Sequence, residues 1–184
     1  MPALHAYADV QTDLLRAVPR LRAFAISLTG NLDQADDLVQ DTIVRGLSRL
    51  DRFEAGTNLQ AWLFTILRNL FYSGYRKHRR EVEDPDGAMA EKLCVAPDQA
   101  THLDFEDMRT ALTKLSAEQR EAILLVGAEG LTYEQAAEVC GVVVGTIKSR
   151  VNRARTRLAE LLEAKPEEDL LPDPLVQAAL YAAA

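Results

Sequence analysis

Apolar residues recur along the chain at steps of three and four, a period that predicts helices almost throughout. Leu14, Leu15, Val18, Leu21, Phe24, Ala25 and Leu28 share one face of a helix over about 8–28, which Gly30-Asn31 ends. Asn31 with Gln34 reads as a capping box that opens a second helix, running to about Leu50. Its expected buried stripe is Ala35, Leu38, Val39, Ile43, Leu47 and Leu50. Residues 51–58 read as a loop, where Thr57 or Asn58 can cap a third helix over about 59–80. In that helix Leu59, Trp62, Leu63, Ile66, Leu67, Leu70 and Phe71 form the apolar stripe.

Between 81 and 101 the period is lost, and two prolines and an excess of acids take its place. It returns at about 103–115. Ser116 with Gln119 then caps a helix running to about Glu129, and Gly130 stops it. Thr132 with Gln135 caps a short helix ending at Cys140-Gly141. A last, long helix starts at Val144 or Gly145 and ends near Ala164, before Pro166, Pro172 and Pro174. The expectation is an all-α protein with two small helical domains, 8–80 and 102–165. A flexible acidic linker, 81–101, joins them, and a tail of unassigned role, 166–184, follows.

Charge sharpens this division. The net charge of −7 argues against a nucleic-acid partner, because affinity for phosphate comes from Lys and Arg. The distribution of the charge points the other way. Residues 68–80 hold five bases and no acid, and 144–162 hold five bases and one acid. Residues 81–108 hold nine acids and one base, so the negative charge sits outside the two basic segments.

Residues 132–157 meet each requirement of a helix-turn-helix. Ala136 and Ala137 let two helices approach closely, and Gly141 sits at the turn, where a left-handed backbone costs glycine little. Ile147 and Val151 anchor the second helix. Its other face carries Lys148, Ser149, Asn152, Arg153 and Arg155, with Arg150 adding a further base. Lys, Arg and Asn can read guanine and adenine edges while other bases hold phosphates. Thr146 and the amides at the helix start suit a phosphate.

The 59–80 helix interleaves Trp62, Phe64, Phe71, Tyr72 and Tyr75 with Arg68, Asn69, Arg76 and Lys77. Aromatics among bases suit single-stranded nucleic acid, where every base offers a face to stack on. Helical spacing with Leu63 and Leu70 favours a core place for Trp62 and Phe71 over a DNA contact, and Asn69, Tyr72 and Tyr75 are the better candidates for contact.

Four blocks in order, DDLVQDTIVRGL (36–47), WLFTILRN (62–69), YRKHRR (75–80) and LTYEQAAEVCGVVVGTIKSRVNRARTRL (131–158), resemble the bacterial extracytoplasmic-function (ECF) RNA polymerase sigma factors. GNLDQADDLVQDTIVRGL, DRFEAGTNLQAWLFTILRNLFYS and EVEDPDGAMAE are similar to the EcfG-type general-stress-response subgroup. The resemblance covers about residues 10–163. It implies that Asp36, Asp37, Gln40, Asp41 and Arg45 face the RNA polymerase core, at its β′ clamp, with the β flap as a further contact. Asp36, with Asp33, also suits the positive end of a helix in purely structural terms. The resemblance implies that the 53–59 loop, including Asn58, and Asn69 take a flipped base of a melted −10 element, with Trp62, Tyr72 and Tyr75 near it. Arg68, Arg76, Lys77, Arg79 and Arg80 would hold the strand, and the helix from Thr146 would read a duplex −35 element. An anti-sigma factor of the NepR type and a response regulator of the PhyR type that imitates the sigma factor are the implied protein partners.

Other classes fit less well. A sigma-like adaptor without initiation activity, such as that regulator, is the alternative, but its receiver domain would need about 120 further residues of α/β pattern. A plain helix-turn-helix repressor has no use for the 72–80 segment. His5, His78 and His102 are scattered, no Cys or His pair has ligand spacing, and no phosphate loop or nucleophile elbow occurs. No enzyme, metal, cofactor or small-molecule substrate is therefore expected. Two distant cysteines, Cys94 and Cys140, fit a reducing compartment. With no signal peptide or membrane span read, a cytoplasmic protein is expected.

Overall fold

In the computed structural model, residues 2–54, 56–81 and 103–162 are described, and the described residues are helical with tight connections. Helix α1 spans Pro2–Thr29, α2 Leu32–Leu47 and α3 Leu59–Glu81. Helix α4 spans Leu103–Thr113, α5 Ala117–Ile123, α6 Tyr133–Cys140 and α7 Val144–Leu161. Glu81, expected to begin the linker, ends α3; the rest of the expected 81–101 linker, the tail over 166–184 and the side chains of Lys77, Arg79 and Arg80 lie outside the described residues.

The first three helices pack around Leu21, Phe24, Leu63, Phe64 and Leu67, all buried. Phe24 and Phe64 meet edge to face, with ring centroids 4.9 Å apart. Asn31 caps α2, its side-chain oxygen accepting from the Gln34 N–H at 2.9 Å, but its own N–H bonds Thr29 Oγ1, so only half of the expected capping box forms. The side chain of Asn58 does the same for α3, accepting from the Ala61 N–H.

The packing face of α2 differs from the expected stripe. Ala35, Val39, Thr42 and Gly46 are buried, while Leu47 is 46% exposed and Val44 is 67% exposed. Gly46 lies against Leu63 and Trp62 of α3, Leu38 and Ile43 pack partly on the core, and Val44 and Leu47 face outward. A Cβ on Gly46 would stand 3.1 Å from Leu63 Cδ2 and 3.7 Å from Trp62 Cζ3. Gly46→Val should therefore cost about 1–3 kcal/mol through overpacking, read as a lower denaturant midpoint with unchanged slope.

The second unit buries Ile123, Leu124, Leu125, Ile147, Val151, Ala154 and Leu158. Two full capping boxes, Ser116 with Gln119 and Thr132 with Gln135, start α5 and α6. The helix expected to reach Glu129 departs from α geometry at Leu124–Ala128, where a π turn carries the Glu129 N–H to the Leu124 carbonyl. The wider turn sends Leu124, Leu125 and Ala128 inward and turns Glu129 toward the first unit.

The two units share one apolar core. Helix α3 packs on α6, and α1 touches α5. Arg68 of α3 meets Glu121 of α5 at 2.6 Å, and Gln60 Nε2 donates to Glu129 at 2.8 Å.

Candidate nucleic-acid interface

The turn between α6 and α7 is built on Gly141, at φ 66 and ψ 37, the left-handed conformation expected there. Its N–H and that of Val142 satisfy the last carbonyls of α6, at Glu138 and Ala137. Val143 then starts α7 in extended backbone. Ala136 and Ala137 are buried, and Ile147 and Val151 are sealed beneath α7.

This anchoring fixes which α7 side chains face solvent. Lys148, Ser149, Asn152 and Arg153 are exposed on one surface. The Lys148 ammonium lies 5.7 Å from the centre of the Tyr133 ring, which positions it at the start of this exposed face. Thr146 is half-buried, and its N–H already bonds the Val143 carbonyl at 2.9 Å, so that amide is not free for a phosphate. Arg150 and Arg155 are half-buried too, with Arg150 Nη1 and Arg155 Nε enclosed and without a hydrogen-bond partner.

Helix α3 presents a second surface. Asn69, Tyr75 and Arg76 are exposed, and Asn58 is exposed at its start. Trp62 is half-buried against Phe53, with centroids 5.4 Å apart, and so tethers the 53–59 loop to the helix. Phe71 packs edge to face on Tyr72, and the Arg68 guanidinium stacks 4.6 Å from the Tyr72 ring centre. Burial first, then the charge of Glu121, raises the Tyr72 hydroxyl to about 12, so it stays a neutral donor.

Arg68 sits differently from the exposed strand-holding base the sequence implied. Its side chain is 19% exposed and its Nε donates to Glu121, whose side chain is fully buried. Burial raises the Glu121 pKa, and Arg68 opposes the shift. Burial alone would lower the Arg68 pKa, but the hydrogen bond and charge of Glu121 leave it raised. Cys140, buried beside Glu121, is pushed up to about 12 and is an unreactive thiol. Sequence reasoning missed Glu121, although its place three and four residues before Leu124 and Leu125 puts an acid on an apolar face.

A third surface lies on α2. Asp37, Gln40, Asp41 and Arg45 are exposed, joined by Val44 and Leu47. Asp36 is partly withdrawn: Arg22 Nε donates to one oxygen at 2.6 Å and Arg22 Nη2 to the other at 3.3 Å. That hydrogen bond holds its carboxyl below the usual carboxylate range. Asp36 therefore ties α2 to α1, whatever it offers a partner. No cluster of His, Cys, Asp or Glu able to hold a metal occurs among the described residues. Nor is any described helix long and apolar enough to cross a membrane.

Comparison with known proteins matches the two helical units to named families. Residues 14–81 match the family described as Sigma-70 region 2, and residues 105–158 match Sigma-70, region 4. The chain is 60% identical to the ECF RNA polymerase sigma factor EcfG of Rhodopseudomonas palustris over 172 residues, which is 94% of this chain and 95% of the relative. It is 36% identical to a probable RNA polymerase sigma-C factor of Mycobacterium bovis, over 78% of this chain and 77% of that one. Among solved structures, the sigma factor RpoE of Bartonella quintana, in complex with the anti-sigma factor NepR, superimposes with a TM-score of 0.74. It is 56% identical, and the match covers 84% of this chain and 97% of that one.

Proposed function

The chain belongs to the ECF RNA polymerase sigma factors, and from that premise we propose how its three surfaces divide the work of starting transcription. Sigma factors bind the polymerase core and direct it to promoters. The exposed α2 face, Asp37, Gln40, Asp41 and Arg45 with Val44 and Leu47, is the docking surface for the core. The α3 surface, with Asn58, Asn69, Tyr75 and Arg76 exposed, holds the melted −10 strand, joined by Lys77, Arg79 and Arg80. A base flipped from the duplex costs a few kcal/mol, which stacking and edge contacts return. The α7 surface, Lys148, Ser149, Asn152 and Arg153, reads the −35 duplex in the major groove.

The observation that carries this reading is the separation of two basic reading surfaces, each on its own family-matched region, from an acid-bearing surface with exposed apolar residues. Each DNA surface alone is small. Polymerase fixes their spacing and turns two weak contacts into one selective grip. The protein takes no part in bond chemistry; polymerase supplies it.

The genes served are those of a general stress response, by likeness to the EcfG relative, and an anti-sigma factor of the NepR type restrains the protein. The site of action is the cytoplasm, where the polymerase is. Purified protein added to core polymerase should start transcription at a defined position on a stress-type promoter. Core alone should give no such transcript. A chain that binds core but never initiates would contradict the reading and favour an adaptor.

A further inference from the structure

We propose that Val143 is a specificity-determining residue of the −35 contact, its isopropyl group packing on the 5-methyl group of a thymine in the major groove. Val143 is 73% exposed, more than any other large apolar residue among those described, while Val142 and Val144 on either side pack partly on the core. A single exposed valine is ordinary on a protein surface. The position of this one is not. Val143 is the N-cap of α7, in extended backbone at φ −74 and ψ 150, and its side chain makes no cap hydrogen bond. Valine is among the poorest N-cap residues, because it offers no oxygen to the amides of the first turn. Elsewhere the second unit uses good caps, and Ser116 and Thr132 open α5 and α6 with complete capping boxes. Helix α7 starts instead on an apolar side chain held in solvent. Local departures of this kind concentrate at functional positions.

The chemistry of the groove names the partner. In a helix-turn-helix the first residues of the second helix meet the base edges. Those edges carry hydrogen-bonding groups in the major groove, with one apolar feature, the C5-methyl of thymine. An apolar side chain laid on any other edge would strip water from a polar group without replacing its hydrogen bond. Laid on the methyl, it removes apolar surface from water on both sides. The approach is open on the protein side. Gly145, two residues on, has no side chain, and a Cβ there would meet nothing within 4 Å. Lys148, Ser149, Asn152 and Arg153 are exposed further along the same helix. They supply hydrogen bonds and charge suited to guanine and adenine edges, and Val143 adds a match for the methyl. Cytosine, a pyrimidine without that methyl, would be disfavoured at the same place.

The inference rests on the assignment of α7 as the −35 reading helix, and the test separates the two. The full chain on core polymerase is titrated with a stress-type promoter fragment. In it each thymine of the −35 element, on either strand, is replaced in turn by deoxyuridine, which pairs as thymine does and lacks only the methyl. For the parent, one such replacement should weaken binding about fourfold, equivalent to the ~0.8 kcal/mol of one buried methyl-sized group. Val143→Ala should bind the unmodified fragment at least as weakly, and should lose nothing further when that methyl is removed. Lys148→Ala should bind more weakly and keep the sensitivity to the methyl.

Stability supplies a second reading. Val143→Ala exchanges one poor cap for another, so the thermal midpoint of the free protein should not move. Val143→Ser supplies the missing cap, and should raise the midpoint by about 2–4 °C while weakening the promoter complex. A valine with a merely structural role would move both readings together. A fallen midpoint in Val143→Ala therefore overturns the proposal. So does methyl sensitivity that persists in Val143→Ala, which would assign it to another residue. Loss of core binding in Val143→Ala without DNA would make Val143 a polymerase contact, and also overturns it. Equal binding of the parent whichever thymine lacks its methyl overturns the methyl contact and leaves α7 as the reading helix. No preference of the parent for the −35 element over a scrambled duplex would count against α7 itself, and the proposal would fall with it.

Discussion

Val44→Asp is expected to lower affinity for core RNA polymerase by about 30-fold or more, the effect of losing an apolar anchor worth about 2 kcal/mol at the centre of an interface. Val44 lies on α2 between Asp41 and Arg45, is 67% exposed, and has Leu47 nearby at 46%. An apolar pair ringed by Gln40, Asp41 and Arg45 has the layout of a dry contact with a polar rim. The helix should survive the change, because its packing face is Ala35, Val39, Thr42 and Gly46, on the other side. Co-purification with core and the thermal midpoint of the free protein check the two halves of this expectation. Lost core binding with an unchanged midpoint supports the assignment; a fallen midpoint would mean that Val44 is structural. Asp36→Ala should behave differently, since Asp36 is bonded to Arg22, and part of its effect should appear as lower stability.

The second large effect is expected on α7. Lys148→Ala together with Arg153→Ala should weaken duplex −35 binding by about 2–6 kcal/mol, if each side chain makes a base contact worth about 1–3 kcal/mol. Both are exposed, and Lys148 is held beside the Tyr133 ring, so neither supports the fold through burial. The loss should depend on salt. If one of the two touches only phosphate, its removal should lower affinity evenly across sequences and flatten the salt dependence by about one counterion. Competition binding against scrambled duplexes at several salt concentrations separates the two outcomes. Equal affinity of parent and double variant would refute the reading of this face.

Much of the fold could be read from the residues because the signals were local. The capping pairs at Ser116 and Thr132, the left-handed Gly141 and the buried Ile147–Val151 pair involve neighbours in sequence, so spacing alone specifies them. Spacing was less informative about α2. There the side that packs is chosen by close approach at Gly46, not by the size of Leu47. The π turn at Leu124–Ala128 was invisible for a similar reason, since it depends on where Glu129 must point. At the site, the exposure of Lys148, Ser149, Asn152 and Arg153 followed from the helical period, whereas Arg155, expected on the same face, is half-buried with its Nε enclosed. The withdrawal of Arg68 and Asp36 did not follow from it, because their partners, Glu121 and Arg22, are on other helices. Arg68 and Glu121 lie 53 residues apart, and periodicity reports which face is apolar without saying which charge meets which.

A two-point grip, in which α7 places the protein and α3 opens the DNA, is tested most directly by permanganate reactivity of thymines in the −10 element with core polymerase present. The parent protein should make those thymines reactive. Asn69→Ala should keep protection of the −35 duplex and lose the reactivity, and Lys148→Ala should lose both. Reactive thymines with Asn69→Ala at the parent level, or with −35 protection absent throughout, would contradict the two-point grip.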